Sequence, residues 1–204
     1  ADIWIYDLAR GVGTRFTFGT DSVAFPVWTP DGTRIAYSNG LGSMVIKTAD
    51  GASDPVSLVS EQGSFRVVPS SFSPDGSYLV YRLQGARTRF DIWVMSMKDD
   101  QKPHPFIATP AVEQGAEFSP DGKWLAYISD ESGRDEVFVV PFPGPGSKRQ
   151  ISSSGASSCY WLDGGSKIAY LTPDRKLFAV DVDRQGASFE IGVPHPLFGG
   201  QPLS

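Results

Sequence analysis

Side chains that could perform chemistry are few in this sequence and lie far apart. The 204 residues contain two histidines, His104 and His195, and one cysteine, Cys159. A metal site needs His, Cys or carboxylate ligands grouped at ligand spacing, and the sequence contains no such group. Both histidines lie beside prolines in segments typical of edge strands, and Cys159 precedes Tyr160 and Trp161. We therefore interpret all three as structural residues.

The signatures of common catalytic and binding sites are missing from the sequence as well. No Gly-x-Ser-x-Gly pentapeptide occurs, and residues 144–148 lack the spacing of a phosphate-binding loop. The net charge of −5 argues against a nucleic-acid interface, because phosphate contacts need basic residues. No apolar run approaches the roughly 20 residues of a membrane-spanning helix. We expect no enzymatic activity, cofactor, metal, nucleic-acid partner or membrane span in this chain.

Three aspartates, Asp31, Asp75 and Asp121, could suggest calcium binding, but they recur in a repeated turn. They belong to the Ser/Thr-Pro-Asp-Gly segments 29–32, 73–76 and 119–122. A degenerate copy of this segment at 163–165 lacks the proline. The aromatic residues that precede the four turns recur every 43 to 46 residues. Proline presets φ, aspartate hydrogen-bonds nearby backbone and glycine adopts a positive φ. We therefore interpret the aspartates as turn residues.

Each turn lies between the first two strands of a predicted four-stranded unit. The second strands are almost continuously apolar, and the third strands are apolar on both faces, so each sheet needs neighbours on two sides. The fourth strands contain polar residues and prolines, as expected at a sheet edge. The predicted strands are 24–28, 34–37, 44–48 and 55–59; 67–72, 78–81, 91–97 and 104–107; 115–118, 124–127, 136–142 and 149–152; and 158–161, 167–170, 177–182 and 194–198.

Four antiparallel strands repeated with this period predict an all-β fold, a β-propeller of four-stranded blades. Residues 2–8 match a third strand and residues 14–20 a fourth, so the chain holds an outer half-blade and about four full blades, an incomplete ring or a fragment. We predict one domain, 1–204, with units at 1–20 (partial), 21–63, 64–110, 111–154 and 155–204. Apolar faces exposed on the two terminal blades predict self-association, or closure of the gap by strand exchange.

Polar residues that enter the inner strands are the candidate binding residues, because the inner strands of a propeller converge on its axis. We expect a protein or small-molecule ligand at the mouth of the axial channel. Arg66 and Glu117 are the strongest candidates, since a charge near an inner strand needs a partner or a purpose. The full set is Asp21, Ser22, Arg66, Glu113, Gln114, Glu117, Ser157 and Ser158.

The repeated turns, each followed by apolar residues and a tyrosine, resemble the PD40 (WD40-like) repeats of the TolB-like propeller family over nearly the whole chain. Residues 2–11, 129–134, 141–146 and 189–198 are also similar to stretches in propellers of acidobacterial-type signalling proteins. In such proteins the propeller follows a serine/threonine kinase or a winged-helix regulator. The resemblance implies a non-catalytic protein- or ligand-binding or sensor module of a larger bacterial protein. It also implies an extracytoplasmic (periplasmic) location, with the cytoplasm as the alternative.

Two other hypotheses fit the same repeats. One is the gating propeller of a prolyl-oligopeptidase-like serine peptidase, which requires an α/β-hydrolase domain downstream. The other is a TolB-like periplasmic scaffold or a stand-alone, self-assembling lectin-like propeller. Fold alone does not separate these hypotheses.

Overall fold

Antiparallel β-sheets account for nearly all regular structure in this chain. The computed structural model describes residues 1–19, 22–40, 42–60, 67–85, 89–98, 102–144, 146–184 and 189–198. Within those ranges the longest helical segment is a three-residue 3₁₀ turn, Asp163–Gly165. The prediction of an all-β chain is confirmed.

Among the described residues, the first sheet, blade 1, has two strands. β1 (Trp4–Asp7) pairs with β2 (Val12–Arg15). The second strand was expected at 14–20, but Gly11, at a φ of 66°, makes the connecting turn tight, so pairing begins at Val12. The strand then ends early, and the Phe16 amide donates back to the carbonyl of Ile3.

The other sheets, blades 2 to 5, are built from strands that are neighbours along the chain. The outer strand expected at 194–198 is replaced by two short pairings on the third strand of blade 5. Blade 2 contains β3 (Val23–Trp28), β4 (Arg34–Asn39), β5 (Ser43–Thr48) and β6 (Val56–Ser60); blade 3 contains β7 (Val67–Phe72), β8 (Tyr78–Leu83), β9 (Asp91–Ser96) and β10 (His104–Ile107); blade 4 contains β11 (Glu113–Phe118), β12 (Trp124–Ser129), β13 (Glu136–Pro141) and β14 (Arg149–Gln150); blade 5 contains β15 (Ser158–Leu162), β16 (Lys167–Leu171), β17 (Leu177–Asp183), β18 (Glu190–Ile191) and β19 (His195–Pro196).

The turn between the first and second strands has the same hydrogen bonds in blades 2, 3 and 4. In blade 2 the Thr29 hydroxyl donates to Asp31 Oδ1 at 2.6 Å, and the Thr33 amide donates to the same oxygen at 3.0 Å. Asp75 and Asp121 have the corresponding partners. These bonds, above all the one from Thr29, lower the pKa of Asp31 to about 2. The interpretation of the aspartates as turn residues is confirmed.

Equivalent turns in neighbouring blades lie side by side. A Cβ atom placed on Gly76 would lie 4.0 Å from Cδ of Pro30, in the preceding turn, and one placed on Gly122 would lie 3.4 Å from Cδ of Pro74. The turns therefore occupy matching places in successive sheets, as radial stacking requires.

The hydrophobic core consists of layers between neighbouring sheets. In β8, Leu79 and Tyr81 pack towards blade 2, whereas Val80 packs towards blade 4. All three are fully buried. β8 is thus covered on both faces, which explains its nearly continuous apolar character.

The inner strands follow one another around a shared axis. β3 contacts β7, β7 contacts β11, and β11 contacts β15. Among the described residues no strand joins blade 5 back to blade 1. The sheets therefore form an incomplete propeller, an open arc of one half-blade and four blades.

Candidate functional site

The inner strands of blades 2, 3 and 4 each contain a bulge that the sequence did not reveal. The pairing of the first strand with the second shifts between Ala24 and Val27, and at the corresponding points of β7 and β11. Phe25 and Gly115 occupy the same place in their blades and have left-handed φ values of 57° and 63°. A bulge bends its strand and re-aims the side chains beside it.

These strands surround a cavity of about 420 Å³ at the axis of the arc. All four inner strands contribute to its walls, and its lining combines partly exposed aromatic rings with polar groups. Its lining includes Phe25, Arg82, Gln114, Glu117, Ser157, Ser158, Cys159 and Tyr160.

Glu117 supplies a carboxyl group whose charge changes near neutral pH. Removal of this group from water raises its pKa to about 7, and the hydrogen bond that Oε2 accepts from the Trp161 amide, at 3.3 Å, opposes the rise only in part. The Trp161 indole Nε1 also donates to the Glu117 carbonyl at 3.1 Å. Glu117 therefore lies at the contact between blades 4 and 5 and is one of the residues that line the cavity.

Arg82 supplies the positive charge of the cavity. Its Nη1 donates to Gln114 Oε1 at 3.0 Å, and its guanidinium lies 4.3 Å from the centre of the Phe90 ring. No carboxylate of the described residues lies within ion-pair distance of Arg82, and its Nε has no hydrogen-bond partner among them. Burial lowers the pKa of Arg82. The side chain nevertheless remains a cation, because the ordinary pKa of arginine is far above neutral pH.

The structure brings together four of the predicted candidates, Ser158 among them, and separates Glu113. Gln114, Glu117 and Ser157 line the cavity, although the Ser157 hydroxyl already donates to the Leu171 carbonyl at 3.2 Å. Glu113 lies outside the cavity lining. Its carboxyl group is fully buried and contacts the Thr109 hydroxyl, and burial raises its pKa.

Of the four remaining candidates, two lie within the residues that the structure describes. Asp21 and Arg66 lie outside the described residues, while Ser158 lines the cavity and Ser22 is exposed. Arg82 was missed, although a signal was present, because it is the only charged residue in the otherwise apolar run 78–83.

Cys159 and the two histidines do not form a reactive site. Burial raises the pKa of the Cys159 thiol far above its ordinary value, so the thiol stays protonated. His104 and His195 lie in outer strands of different blades, as expected. In the part of the chain that the structure describes, no three His, Cys, Asp or Glu side chains are placed to hold a metal ion. The same part contains no helix long and apolar enough to cross a membrane.

This architecture defines a β-propeller module, here an open arc with a cavity at its axis. Residues 13–191 match the family described as the PD40, TolB β-propeller domain, and the chain belongs to that family.

Solved structures show the same fold at low identity. TolB from Acinetobacter baumannii is 21% identical with a TM-score of 0.69, and the match covers 95% of this chain and 48% of that one. A putative TolB from Agrobacterium tumefaciens is 17% identical with a TM-score of 0.65, covering 98% and 90%. A structure from a study of two prolyl endopeptidases is 15% identical with a TM-score of 0.62, covering 93% and 32%. This chain thus spans about half the length of the Acinetobacter TolB chain.

Proposed function

We propose that this chain is the non-catalytic, ligand-binding or sensor propeller of a larger bacterial protein, and that its ligand binds in the axial cavity. The observation that carries the proposal is the cavity itself, in which Arg82 has no carboxylate partner among the described residues while Phe25 and Tyr160 offer partly exposed rings. A cation at a concave, partly apolar site favours an anionic group carried on an apolar or peptide body.

The carboxyl group of Glu117 adds a pH dependence to this site. Near pH 7 it exchanges between a neutral acid and an anion. The neutral form leaves the charge of Arg82 uncompensated, whereas the anion repels an anionic ligand that approaches the same cavity. Binding of such a ligand is therefore expected to be tighter below pH 7 than above it.

A matched pair of probes tests the site. N-acetylphenylalanine carries a carboxylate on an aromatic body, and N-acetylphenylalaninamide is the same body without the charge. We expect the acid to shift the amide NMR signals of residues 114–117 and 157–160 at lower concentration than the amide does. The variant Arg82→Gln should abolish this preference, whereas Arg149→Gln, which changes an exposed arginine of β14, should keep it. Equal binding of the two probes to the unaltered protein would refute the anion preference.

The wider setting of the propeller is tested by the neighbouring coding sequence. A kinase or winged-helix segment upstream supports the signalling module, and a hydrolase domain with Gly-x-Ser-x-Gly downstream supports the peptidase-gate hypothesis. The likeness to prolyl endopeptidases concerns the fold alone. We propose an extracytoplasmic location for the module. A fusion of the complete protein to alkaline phosphatase, which is active only outside the cytoplasm, tests that location, and an inactive but stable fusion would contradict it.

A further inference from the structure

A cleft of about 490 Å³ lies between the turns of blades 2 and 3, at an internal boundary of the arc. We call it the turn cleft. Its walls come from both turns and from the residues that follow β9, and none of the described residues that line it also lines the axial cavity. Its lining includes Arg34 of blade 2 and Phe72, Asp75, Met97 and Lys98 of blade 3.

Backbone hydrogen bonds show which residues correspond at the boundaries between blades. The amides of Arg34, Tyr78 and Trp124 each donate to the hydroxyl of the residue that begins the preceding turn. The amides of Met97 and Phe142 each donate to the carbonyl of the residue after the turn glycine. Arg34, Tyr78 and Trp124 therefore occupy one place in blades 2 to 4, and Met97 and Phe142 occupy another in blades 3 and 4.

At the next two boundaries an aromatic ring fills the space between the turns. Between blades 3 and 4, the centre of the Phe142 ring lies 5.1 Å from that of Tyr78 and 4.8 Å from that of Phe118. Between blades 4 and 5, the centre of the Phe189 ring lies 4.6 Å from that of Trp124. In both cases the ring packs on the aromatic residue that begins the second strand of the preceding blade.

The described residues supply no such ring to the turn cleft. Phe72, which corresponds to Phe118 as the last residue of its inner strand, is the one aromatic residue among the described residues of the lining. Met97 stands in the place of Phe142, and Arg34 stands where the other blades have an aromatic residue. A guanidinium group can stack on an aromatic face as a tyrosine or tryptophan ring does. The turn cleft therefore has two walls for a ring, Phe72 and Arg34.

The charges of the turn cleft that are free to meet a ligand are positive. The carboxylates of Asp31 and Asp75 accept hydrogen bonds within their own turns. No carboxylate of the described residues lies within ion-pair distance of Arg34. Lys98 Nζ lies 3.8 Å from Asp75 Oδ2, and a pair this exposed is weak. Arg34 and Lys98 can therefore receive a carboxylate that accompanies the ring.

We propose that the turn cleft binds an aromatic side chain of a partner protein, presented by an extended segment in which an acidic residue follows the aromatic one. The ring lies between Phe72 and Arg34, and the carboxylate pairs with Arg34 or Lys98. The chain's own filler at another boundary supports this occupant, because Phe189 directly precedes the short strand Glu190–Ile191. This site is additional to the axial cavity and does not depend on a ligand there.

Three peptides test the proposal by titration into the protein. The peptide acetyl-Gly-Phe-Glu-Gly-amide carries both groups, a second has leucine in place of phenylalanine, and a third has glutamine in place of glutamate. We expect the first to shift the amide NMR signals of Phe72, Asp75 and Met97 at about threefold lower concentration than the other two. Signals of residues 114–117 and 157–160 report on the axial cavity, so either site can fail without the other. No shift at the turn cleft at millimolar peptide, or equal shifts with the leucine or glutamine peptide, would overturn the proposal.

Two variants and a matched control locate the binding. Met97→Phe supplies from within the chain the ring that Phe142 supplies in blade 4, so it should block the peptide and raise the thermal unfolding temperature. Arg34→Gln should weaken binding about threefold, whereas Arg149→Gln, at an exposed arginine of β14, should leave it unchanged. The NMR spectrum of each variant reports whether it is folded. Unchanged binding by folded Met97→Phe or Arg34→Gln would overturn the proposal. Tighter binding of N-acetylphenylalanine than of the peptide would overturn the assignment to a protein segment in favour of a free aromatic acid.

Discussion

Arg184 and Asp121 form an ion pair between two blades, with Nη1 of Arg184 2.9 Å from Oδ2 of Asp121. Arg184 follows β17 of blade 5, and Asp121 lies in the turn of blade 4. The guanidinium also lies 5.6 Å from the centre of the Trp161 ring, and its Nη2 donates to the Gly164 carbonyl at 3.1 Å. Burial disfavours the charged form of Asp121, but the hydrogen bonds from the Ser119 hydroxyl and the Lys123 amide, together with the positive charge of Arg184, outweigh it and lower the pKa.

Replacement of this arginine should loosen the contact between blades 4 and 5. We expect Arg184→Met to reduce the free energy of unfolding by about 1 kcal/mol, because the pair is only partly shielded from solvent. Urea denaturation measures the effect, and a double-mutant cycle with Asp121→Asn isolates the pair. A loss from Arg149→Gln as large as the loss from Arg184→Met would show that the effect is not specific to this contact.

At the bulge residue Phe25, glycine should give a more stable protein than alanine, which is the reverse of the usual order. Phe25 adopts a φ of 57°, which strains a residue that has a Cβ, whereas glycine adopts it freely. We expect Phe25→Gly to be more stable than Phe25→Ala by about 1 kcal/mol, as measured by thermal or urea unfolding. The opposite order would mean that the residue leaves the left-handed region when its ring is removed.

Replacement by alanine should cost about the same stability at each turn glycine, because each of these glycines has a positive φ that strains alanine. Gly32 has a φ of 67° with free space around it, and Gly122 has a φ of 70° with Pro74 Cδ at 3.4 Å from an added Cβ. We expect Gly32→Ala and Gly122→Ala each to destabilise the fold by about 1 kcal/mol. A much larger loss at Gly122 in urea unfolding would indicate that packing of neighbouring turns, rather than φ, dominates.

The carboxyl group of Glu117 makes stability depend on pH in a defined window. Its folded pKa of about 7 is above the ordinary value of about 4.3, so between these values the folded state binds a proton that the unfolded state has released. The contribution of this carboxyl group to folding stability is therefore fully present below about pH 4.3 and is lost as the pH rises through 7.

Without that carboxyl group, the free energy of unfolding should depend less on pH between about 4.3 and 7. We expect Glu117→Gln to be more stable than the unaltered protein at pH 8, by roughly 1–3 kcal/mol, and to differ little at pH 4.5. Thermal denaturation across pH 4.5–8 measures this difference. Glu113→Gln is a useful comparison, because burial raises the pKa of Glu113 too, outside the cavity. Equal pH profiles for the unaltered protein and Glu117→Gln would contradict the prediction.

Glu136 anchors the connection from blade 4 to blade 5. Its fully buried carboxylate accepts hydrogen bonds from Arg134 Nε at 2.7 Å, from the Gly155 amide at 3.0 Å and from the Ser152 hydroxyl. We expect Glu136→Ala to cost about 3 kcal/mol of unfolding free energy, because it leaves buried donors without an acceptor. Urea unfolding tests this, and Glu131→Ala, which removes the partner of Lys148 near the surface, should cost under about 1 kcal/mol.

Much of the fold could be predicted from the sequence because its signals are local. The turn at Asp75 is specified by its own residues, and the apolar run through Val80 predicts burial on both faces. A further turn of the same type, 172–175, was overlooked, although Thr172 donates to Asp174 Oδ1 at 2.5 Å as the other turns do. It joins the second and third strands instead of the first and second, and Arg175 takes the positive φ, 63°, that glycine has elsewhere.

The candidate site was harder to predict because it depends on several strands at once. Gln114 and Glu117 could be proposed as soon as their strand was placed near the axis. Arg82 left one signal, as the single charged residue of the apolar run 78–83, but it lies on a second strand, and the cavity that it lines is formed by residues of several strands. Phe25 gave no sign of a bulge, since aromatic residues favour regular strands and seldom adopt a positive φ.

The layered core has a consequence for how such a chain can change in length. Val80 and Val94 of blade 3 face Phe118 and Tyr127 of blade 4 across one layer, and the same alternation recurs at the next boundary. A duplicated repeat inserted between β10 and β11 would contact a neighbouring sheet on each side. Those two sheet faces are of the same kind as the faces that each blade already packs against. Gene duplication can therefore lengthen this protein by whole blades at little cost to stability, whereas gain or loss of a partial period would uncover an apolar layer.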